Sequence, residues 1–454
     1  MAKKQAVRFV CRNCGATYAA WAGRCGECGE WNTLEEEAIA APAGSGFGGR
    51  AVSSGRALQP QTVDVSAVHD QQRLQTGIAD VDDVLGGGIV AGSVILLAGQ
   101  PGIGKSTLLL QLAYAISARE PVLYVSGEES AHQVALRAAR LGADHPTLQL
   151  ATSTSADDIA ATIGQRKHRL VVVDSIQTMA VAEVLAAPGT VSQITNSTVA
   201  IMQAAKQADT AVILVGHVTK EGTIAGPKVL EHVVDVVLQL EGDRYGGFKM
   251  LRAIKNRFGS TSEAGIFEMH EQGLKPVENP SAALLAERQV SDGSVVLATV
   301  EGTRPLLVEV QALVNKTNYG YPKRAASGID LNRLNLLVAM LERRTKLNLS
   351  DKDIYVNIVG GLRIAEPAAD LAVCMAIGSA AKGLQLKTNA VVFGEVGLSG
   401  EVRHVPFIDK RLAEATKLGF TAAIGPRPRT GTAPAMLHGV AVVRDALNQF
   451  LEHD

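Results

Sequence analysis

The stretch Gly99-Gln100-Pro101-Gly102-Ile103-Gly104-Lys105-Ser106-Thr107 constrains this chain more than any other. It matches the pattern G-x-x-x-x-G-K-[ST] throughout. An apolar run, Val94 to Ala98, leads into it, and a helix-like run, Leu108 to Ala118, leads out. In a strand–loop–helix of this kind the glycines let the backbone curl until successive N–H groups point at phosphate oxygens. The helix N-terminus adds partial positive charge at the same place. Lys105 is expected to reach the β- and γ-phosphates of ATP, and Ser106 to hold Mg²⁺. The fold class that follows is α/β, with a phosphate-loop core.

Three apolar runs downstream end in polar groups. Val122 to Ser126 leads into Gly127-Glu128-Glu129-Ser130. A carboxylate at the end of a strand beside a phosphate loop can polarise the attacking water. Two adjacent glutamates also suit a helix N-terminus, so one can serve each role; Glu128 is taken as the base. Leu170 to Asp174 is the expected partner strand, with Asp174 holding Mg²⁺ through water. Ala211 to His217 ends in a histidine that either senses the γ-phosphate or is structural. The stretches 180–195 and 219–228 read as loops, the first mobile. Strands at Val233 to Leu240 and Phe248 to Lys255 are expected to form a hairpin around Gly246-Gly247. Its second strand runs into Lys255-Asn256-Arg257-Phe258-Gly259. By pattern alone the two cations read as a solvated strand end. At a subunit edge they could instead reach a neighbour's nucleotide.

The N-terminus carries a different chemistry. Four of the five cysteines lie in the first 28 residues, as Cys11-x-x-Cys14 and Cys25-x-x-Cys28 with ten residues between the pairs. Gly15 and Gly29 follow the pairs and suit two tight ligand turns. Four thiolates so spaced close a tetrahedral Zn²⁺ site, and the segment is too short to fold on a core of its own. The zinc is expected to be structural, since protein fills all four positions. Arg8, Arg12, Arg24 and Trp21 either touch a nucleic acid or protein partner or form a solvated rim. Residues 35–70 are rich in Ala, Gly, Ser and Pro and read as a linker.

Composition limits the partners. The formal net charge is −1 over 454 residues, so contact with nucleic acid must use local patches. No apolar run approaches the roughly 20 residues of a membrane span. Met1-Ala2-Lys3-Lys4 leads into a polar segment without a secretory core; a cytoplasmic location and no membrane partner are expected. Beyond about Val277 the chain reads as a second region. Val295 to Val300 and Leu306 to Val314 look like strands, and Leu331 to Lys346 has helical spacing. Asp353 to Val359, Pro367 to Lys382 and Ala390 to Val396 follow as strand, helix and strand. Cys374 falls inside the apolar helix and is expected in the core.

The cysteine pairs, the phosphate loop and Lys255-Asn256-Arg257-Phe258-Gly259, in this order, resemble the bacterial RadA (Sms) family of recombination and repair ATPases. The resemblance covers essentially the whole chain, and the pentapeptide is the family's own signature. It implies a RecA-like core, with Glu128 as catalytic glutamate, Asp174 as strand-end acid and His217 at the γ-phosphate sensor position. It implies hexameric rings on single-stranded and branched DNA, promoting branch migration with the RecA recombinase. The two loops would face DNA, and Lys255 and Arg257 would act across the subunit interface. The zinc segment is implied in contacts with RecA. The C-terminal third is similar to the α+β proteolytic domain of Lon. Where that domain has its serine, Glu366-Pro367-Ala368-Ala369-Asp370 places Ala368. The dyad lysine aligns at Asp409, or one residue away at Lys410. Without the hydroxyl there is no nucleophile. Lys316, Lys323, Arg324, Arg343, Arg344 and Lys346 are candidates for phosphate contacts or simply solvated.

The expected organisation is therefore a C4 zinc ribbon over 1–34, a linker over 35–70, a RecA-like ATPase domain over 71–275 and a proteolytically inactive Lon-like domain over 285–454. The leading function is a DNA-dependent ATPase motor using ATP, Mg²⁺ and Zn²⁺. The alternative is a nucleotide-switched module that loads or remodels recombinase filaments without translocating.

Overall fold

The computed structural model describes residues 7–12, 15–38, 73–217, 229–242, 247–318, 320–386, 389–428 and 434–452. Cys14, Gly246, the loop 219–228 and all but the first few residues of the 35–70 linker lie outside them. The chain divides into two compact units. One holds 1–239, 253–260 and 271–273, and the other 240–252, 261–270 and 274–454.

The first unit begins with a ribbon. Strand β1 (Val7–Cys11) pairs antiparallel with β2 (Thr17–Tyr18) and β3 (Leu34–Ala38). Among the described residues its buried apolar core is Cys11, Cys25 and Leu34, backed by Phe9, Ala16, Tyr18 and Ala22. So small a core does not hold a fold without a further cross-link.

The same unit carries the α/β core. Helix α1 (Ala79–Leu85) stops at Gly86, whose φ of 80° only glycine adopts cheaply. Then β4 (Val94–Gly99), α2 (Lys105–Ser117), β5 (Val122–Ser126), α3 (Ala131–Leu141), β6 (Leu148–Thr152), α4 (Ala156–Gly164), β7 (Leu170–Asp174), α5 (Val191–Ala208) and β8 (Ala211–His217) alternate. The five strands are parallel in the order β4-β8-β7-β5-β6. Every residue of β4, β5 and β7 is buried, as an apolar run covered on both faces requires. Helix α6 (Val229–Val233) follows, and then β9 (Val236–Gly242) and β10 (Phe248–Asn256), of which 240–242 and 248–252 are counted with the second unit.

Two readings of this region need correction. The expected loop over 180–195 ends at Thr190, because its hydroxyl accepts the Gln193 N–H and starts the eighteen-residue α5. The loop that remains is strapped down by the buried Gln193 amide. It donates to the carbonyls of Val184 (2.7 Å) and Ala186 (2.9 Å) and accepts the Val181 N–H at 3.0 Å. The hairpin's first strand starts at Val236 instead of Val233, which closes α6.

The second unit is built on a seven-stranded sheet. Strands β11 (Ser294–Glu301) and β12 (Arg304–Lys316) form a long antiparallel pair. With β13 (Arg324–Ser327), β14 (Lys352–Ile358), β15 (Ala390–Val392), β16 (Ala422–Pro426) and β17 (Leu437–Val440) the order is β13-β14-β12-β11-β15-β16-β17. Helices α7 (Leu331–Thr345), α8 (Asp370–Lys382) and α9 (Ile408–Lys417) belong to the same unit. Cys374 is fully buried within α8. The strand expected over Ala390 to Val396 breaks at Phe393-Gly394, where the Gly394 N–H turns away to the Ala368 carbonyl at 2.7 Å.

Candidate nucleotide site

Strand register assembles the site. Gly99, the last residue of β4, lies directly beside His217, the last residue of β8. Ser126, ending β5, lies beside Asp174, ending β7. The carboxyl ends of adjacent parallel strands thus converge on one edge, where open α/β sheets bind ligands. Between β4 and α2, Gly102 and Gly104 take φ of 77° and 115°. Side chains beyond Cβ are strained there, which explains both glycines.

Lys105 opens α2 and is 4% exposed. Its Nζ donates to the carbonyls of Gly99 (2.8 Å) and Gln100 (3.0 Å) and lies 3.1 Å from His217 Nδ1. Burial lowers its pKa to about 8, although the charges of Asp174 and Glu128 pull the other way. Both carboxylates therefore act on the same ammonium. On the far side of the imidazole, His217 Nε2 is 3.4 Å from Glu128 Oε1. The Ser175 hydroxyl donates to that same oxygen. Lys105, His217, Glu128 and Ser175 are one connected line. Glu129 points elsewhere and pairs with Arg137 at 2.6 Å, while Ser130 caps α3.

Asp174 is buried, and its Oδ2 accepts the Tyr124 hydroxyl at 2.6 Å. The other carboxylate oxygen is left for a cation, so a buried strand-end acid beside a phosphate loop fits a hydrated Mg²⁺. Ser106 and Thr107 occupy the first turn of α2, half-buried and buried.

Sequence reasoning missed Tyr124, Ser175 and Arg137. The signal for Ser175 was its place directly after Asp174. Nothing in sequence spacing points to Tyr124, because its partner is 50 residues away on the next strand.

Lys255 and Arg257 lie apart from these groups and are held within their own chain. Lys255 Nζ donates to the carbonyls of Glu231 and Val234, both at 2.7 Å, at the end of α6. Arg257 Nη1 donates to Asp235 Oδ1 at 3.0 Å. Asn256 reaches the Leu85 carbonyl (3.3 Å) and accepts the Phe258 N–H, and the Gly259 Cα packs against Gly86.

In the ribbon, the sulfurs of Cys11, Cys25 and Cys28 lie within 4.8 Å of one another, Cys11 and Cys28 at 3.7 Å. Thiolates at about 2.3 Å around a tetrahedral Zn²⁺ sit at such separations. The two turns match: the Gly15 N–H donates to the Cys11 carbonyl and the Gly29 N–H to that of Cys25, with φ of 76° and 77°. These residues fit a zinc ion.

In the second unit, Ala368 is buried. Lys410 Nζ donates to the Thr303 carbonyl at 3.0 Å, and Asp409 is exposed. No hydroxyl–amine pair stands at those positions. Register places Lys316 beside Lys352, and Lys323 and Arg324 start the neighbouring β13 region, which makes one basic corner. Arg343, Arg344 and Lys346 form another at the end of α7.

A phosphate loop whose lysine meets a strand-end histidine and two carboxylates defines a P-loop ATPase domain. Comparison with known proteins agrees. A family described as an AAA domain matches residues 59–223, and one described as a rubredoxin metal binding domain matches residues 9–36. The DNA repair protein RadA of Pseudomonas aeruginosa is 49% identical over 96% of this chain and 96% of its own length. That of Bacillus subtilis is 45% identical over 99% and 100%. A solved structure, that of the RadB recombinase, aligns with 45% of this chain and 100% of its own at 24% identity and a TM-score of 0.37. The chain belongs to the family of DNA repair protein RadA. Among the described residues no helix is long and apolar enough to cross a membrane.

Proposed function

We propose that this chain is a DNA-dependent ATPase of recombination and DNA repair. It assembles as a hexameric ring on single-stranded DNA and drives branch migration together with RecA. The observation that carries the reading is the line Lys105–His217–Glu128 at the carboxyl edge of the sheet. One side chain there touches both the phosphate-binding lysine and the candidate base.

The chemistry follows from the residues. The N–H groups of Gly102 to Thr107 cradle the phosphates, and Lys105 leaves its backbone acceptors to meet the β- and γ-oxygens. Ser106 and Asp174 would hold Mg²⁺, which would supply positive charge against the phosphates. Glu128 accepts a proton from the attacking water or orients it, and Ser175 fixes its carboxylate for that task. His217 gives up Lys105 to the γ-phosphate while that is bound and regains it when the phosphate leaves. Lys255 and Arg257 complete a neighbour's site. In the second unit Ala368 offers no nucleophile, so the domain is a platform for assembly and DNA contact and not a protease. The basic corner at Lys316, Lys323 and Arg324 supports the DNA role. The zinc ribbon, closed by Cys11, Cys14, Cys25 and Cys28, contacts RecA.

ATP turnover measured with and without single-stranded DNA tests this. DNA is expected to raise the rate, and Lys105→Ala to abolish it in both conditions. A rate and assembly state indifferent to saturating DNA would sink the motor reading.

A further inference from the structure

Asp235 is 3% exposed, on the short link between α6 and β9. A buried carboxylate needs partners, and those of Asp235 tie two distant parts of the unit together. Its Oδ2 accepts the Val94 N–H at 3.1 Å, and its own N–H donates to the Val94 carbonyl at 2.9 Å. Val94 opens β4, the strand that ends in the phosphate loop. Oδ1 accepts Arg257 Nη1 at 3.0 Å and Lys206 Nζ at 3.5 Å. The Arg257 N–H also donates to the Asp235 carbonyl at 3.2 Å.

Arg257 uses only one nitrogen on Asp235. Its side chain is half exposed, and Nε and Nη2 have no hydrogen-bond partner among the described residues. One edge of the guanidinium is thus anchored at home while the rest of the fork faces outward. That is how an arginine is presented to an anion outside its own subunit: a rigid planar donor whose rotamer is chosen before the anion arrives. Lys255 shows the contrast. Its ammonium rests on carbonyls at the end of α6 and must leave them before it acts on a neighbour.

We propose that Asp235 is a positioning residue for ATP turnover. It sets Arg257 against the root of the phosphate-loop strand, so that the guanidinium is held ready for the nucleotide of the neighbouring subunit. The inference rests on the reading that Arg257 acts across the subunit boundary.

Asp235→Asn is the informative change. The asparagine oxygen still accepts the Val94 N–H, while its NH₂ group turns a donor toward Arg257 and Lys206. Nucleotide affinity is expected to stay within about twofold, and DNA-stimulated kcat to fall about tenfold or more, as for loss of a charge-assisted hydrogen bond. The decisive measurement mixes full-length subunits. Lys105→Ala subunits turn over nothing themselves but carry an intact Asp235–Arg257 pair. Mixed one to one with Asp235→Asn subunits, they should restore about a quarter of wild-type turnover, since a head-to-tail ring gives each loop one donor neighbour. Arg257→Ala mixed with Lys105→Ala is run in parallel. Rescue of both mixtures supports the proposal. Rescue of Arg257→Ala but not of Asp235→Asn overturns it and leaves the trans-acting arginine standing. Rescue of neither overturns both. A large loss of nucleotide affinity in Asp235→Asn would assign the residue to its own loop and also refute the proposal.

Discussion

Lys105 predicts a specific pH dependence of nucleotide binding. Its ammonium is buried at the end of the sheet, which brings its pKa down to about 8. Phosphate oxygens placed beside it restore the charged form. The empty site therefore sheds a proton as pH rises through about 8, and the loaded site keeps it. Binding must be tighter at low pH, and above that value it must take a proton up. At pH 9 only about one empty site in ten holds the charge, so the apparent Kd for ATP or ADP weakens about tenfold between pH 7 and pH 9, or about 1.4 kcal/mol. The titrations use the Mg²⁺ complex of the nucleotide, whose terminal phosphate is ionised across that range, so its own titration does not blur the slope. Fluorescent-nucleotide titrations at a series of pH values give the curve. Calorimetry in two buffers of different ionisation enthalpy counts the proton, expected at about 0.9 per site at pH 9. Lys105→Arg, which cannot deprotonate, should flatten whatever binding it retains. A Kd constant from pH 7 to pH 9, with no buffer-dependent heat, would show that Lys105 keeps its charge in the empty site.

Two further changes test other parts. Tyr124→Phe takes the donor from Asp174 Oδ2, and outer partners of a metal-holding carboxylate are worth about tenfold in metal affinity. The Mg²⁺ concentration for half-maximal turnover should rise accordingly; an unmoved midpoint would remove Tyr124 from the site. Arg411, with no exposed surface, pairs with Glu366 and donates to the carbonyls of Ala298 (2.6 Å) and Pro406 (3.2 Å). Arg411→Ala leaves that carboxylate without its cation, with the Thr299 hydroxyl and the Val300 N–H still donating to it, and should cost about 3 kcal/mol in denaturant unfolding of the second unit; a loss below about 1 kcal/mol would count against the pairing.

Where backbone chemistry is local, the sequence was legible. The phosphate loop and the cysteine turns closed by Gly15 and Gly29 each rest on a few adjacent residues, and the structure draws those turns as read. The parallel strands were legible because residues buried on both faces must be apolar throughout. What failed to show was long-range. Gln193 straps the 181–186 stretch through a single buried amide, which no local pattern announces, so that stretch read as mobile. Tyr124 looks like one more apolar strand residue until register sets it against Asp174. Asp235 falls inside the strand read over Val233 to Leu240, and nothing local marks Val94, 141 residues earlier, as its partner. Glu128 and Glu129 were indistinguishable in sequence; a one-residue step along the turn sends one toward His217 and the other to Arg137.

If His217 senses the γ-phosphate as proposed, its pairing with Gly99 bears on the timing of the cycle. Both residues end adjacent, buried strands of one slab, so neither backbone has room to travel. On that reading, loss of the phosphate is passed on by side-chain rotation of an imidazole and an ammonium, which is fast beside the motion of whole segments. Reading the nucleotide cannot be the slow step. On the motor reading the waiting time of each cycle belongs to larger bodies rearranging around the slab, on microseconds to milliseconds, and turnover should slow as solvent viscosity rises.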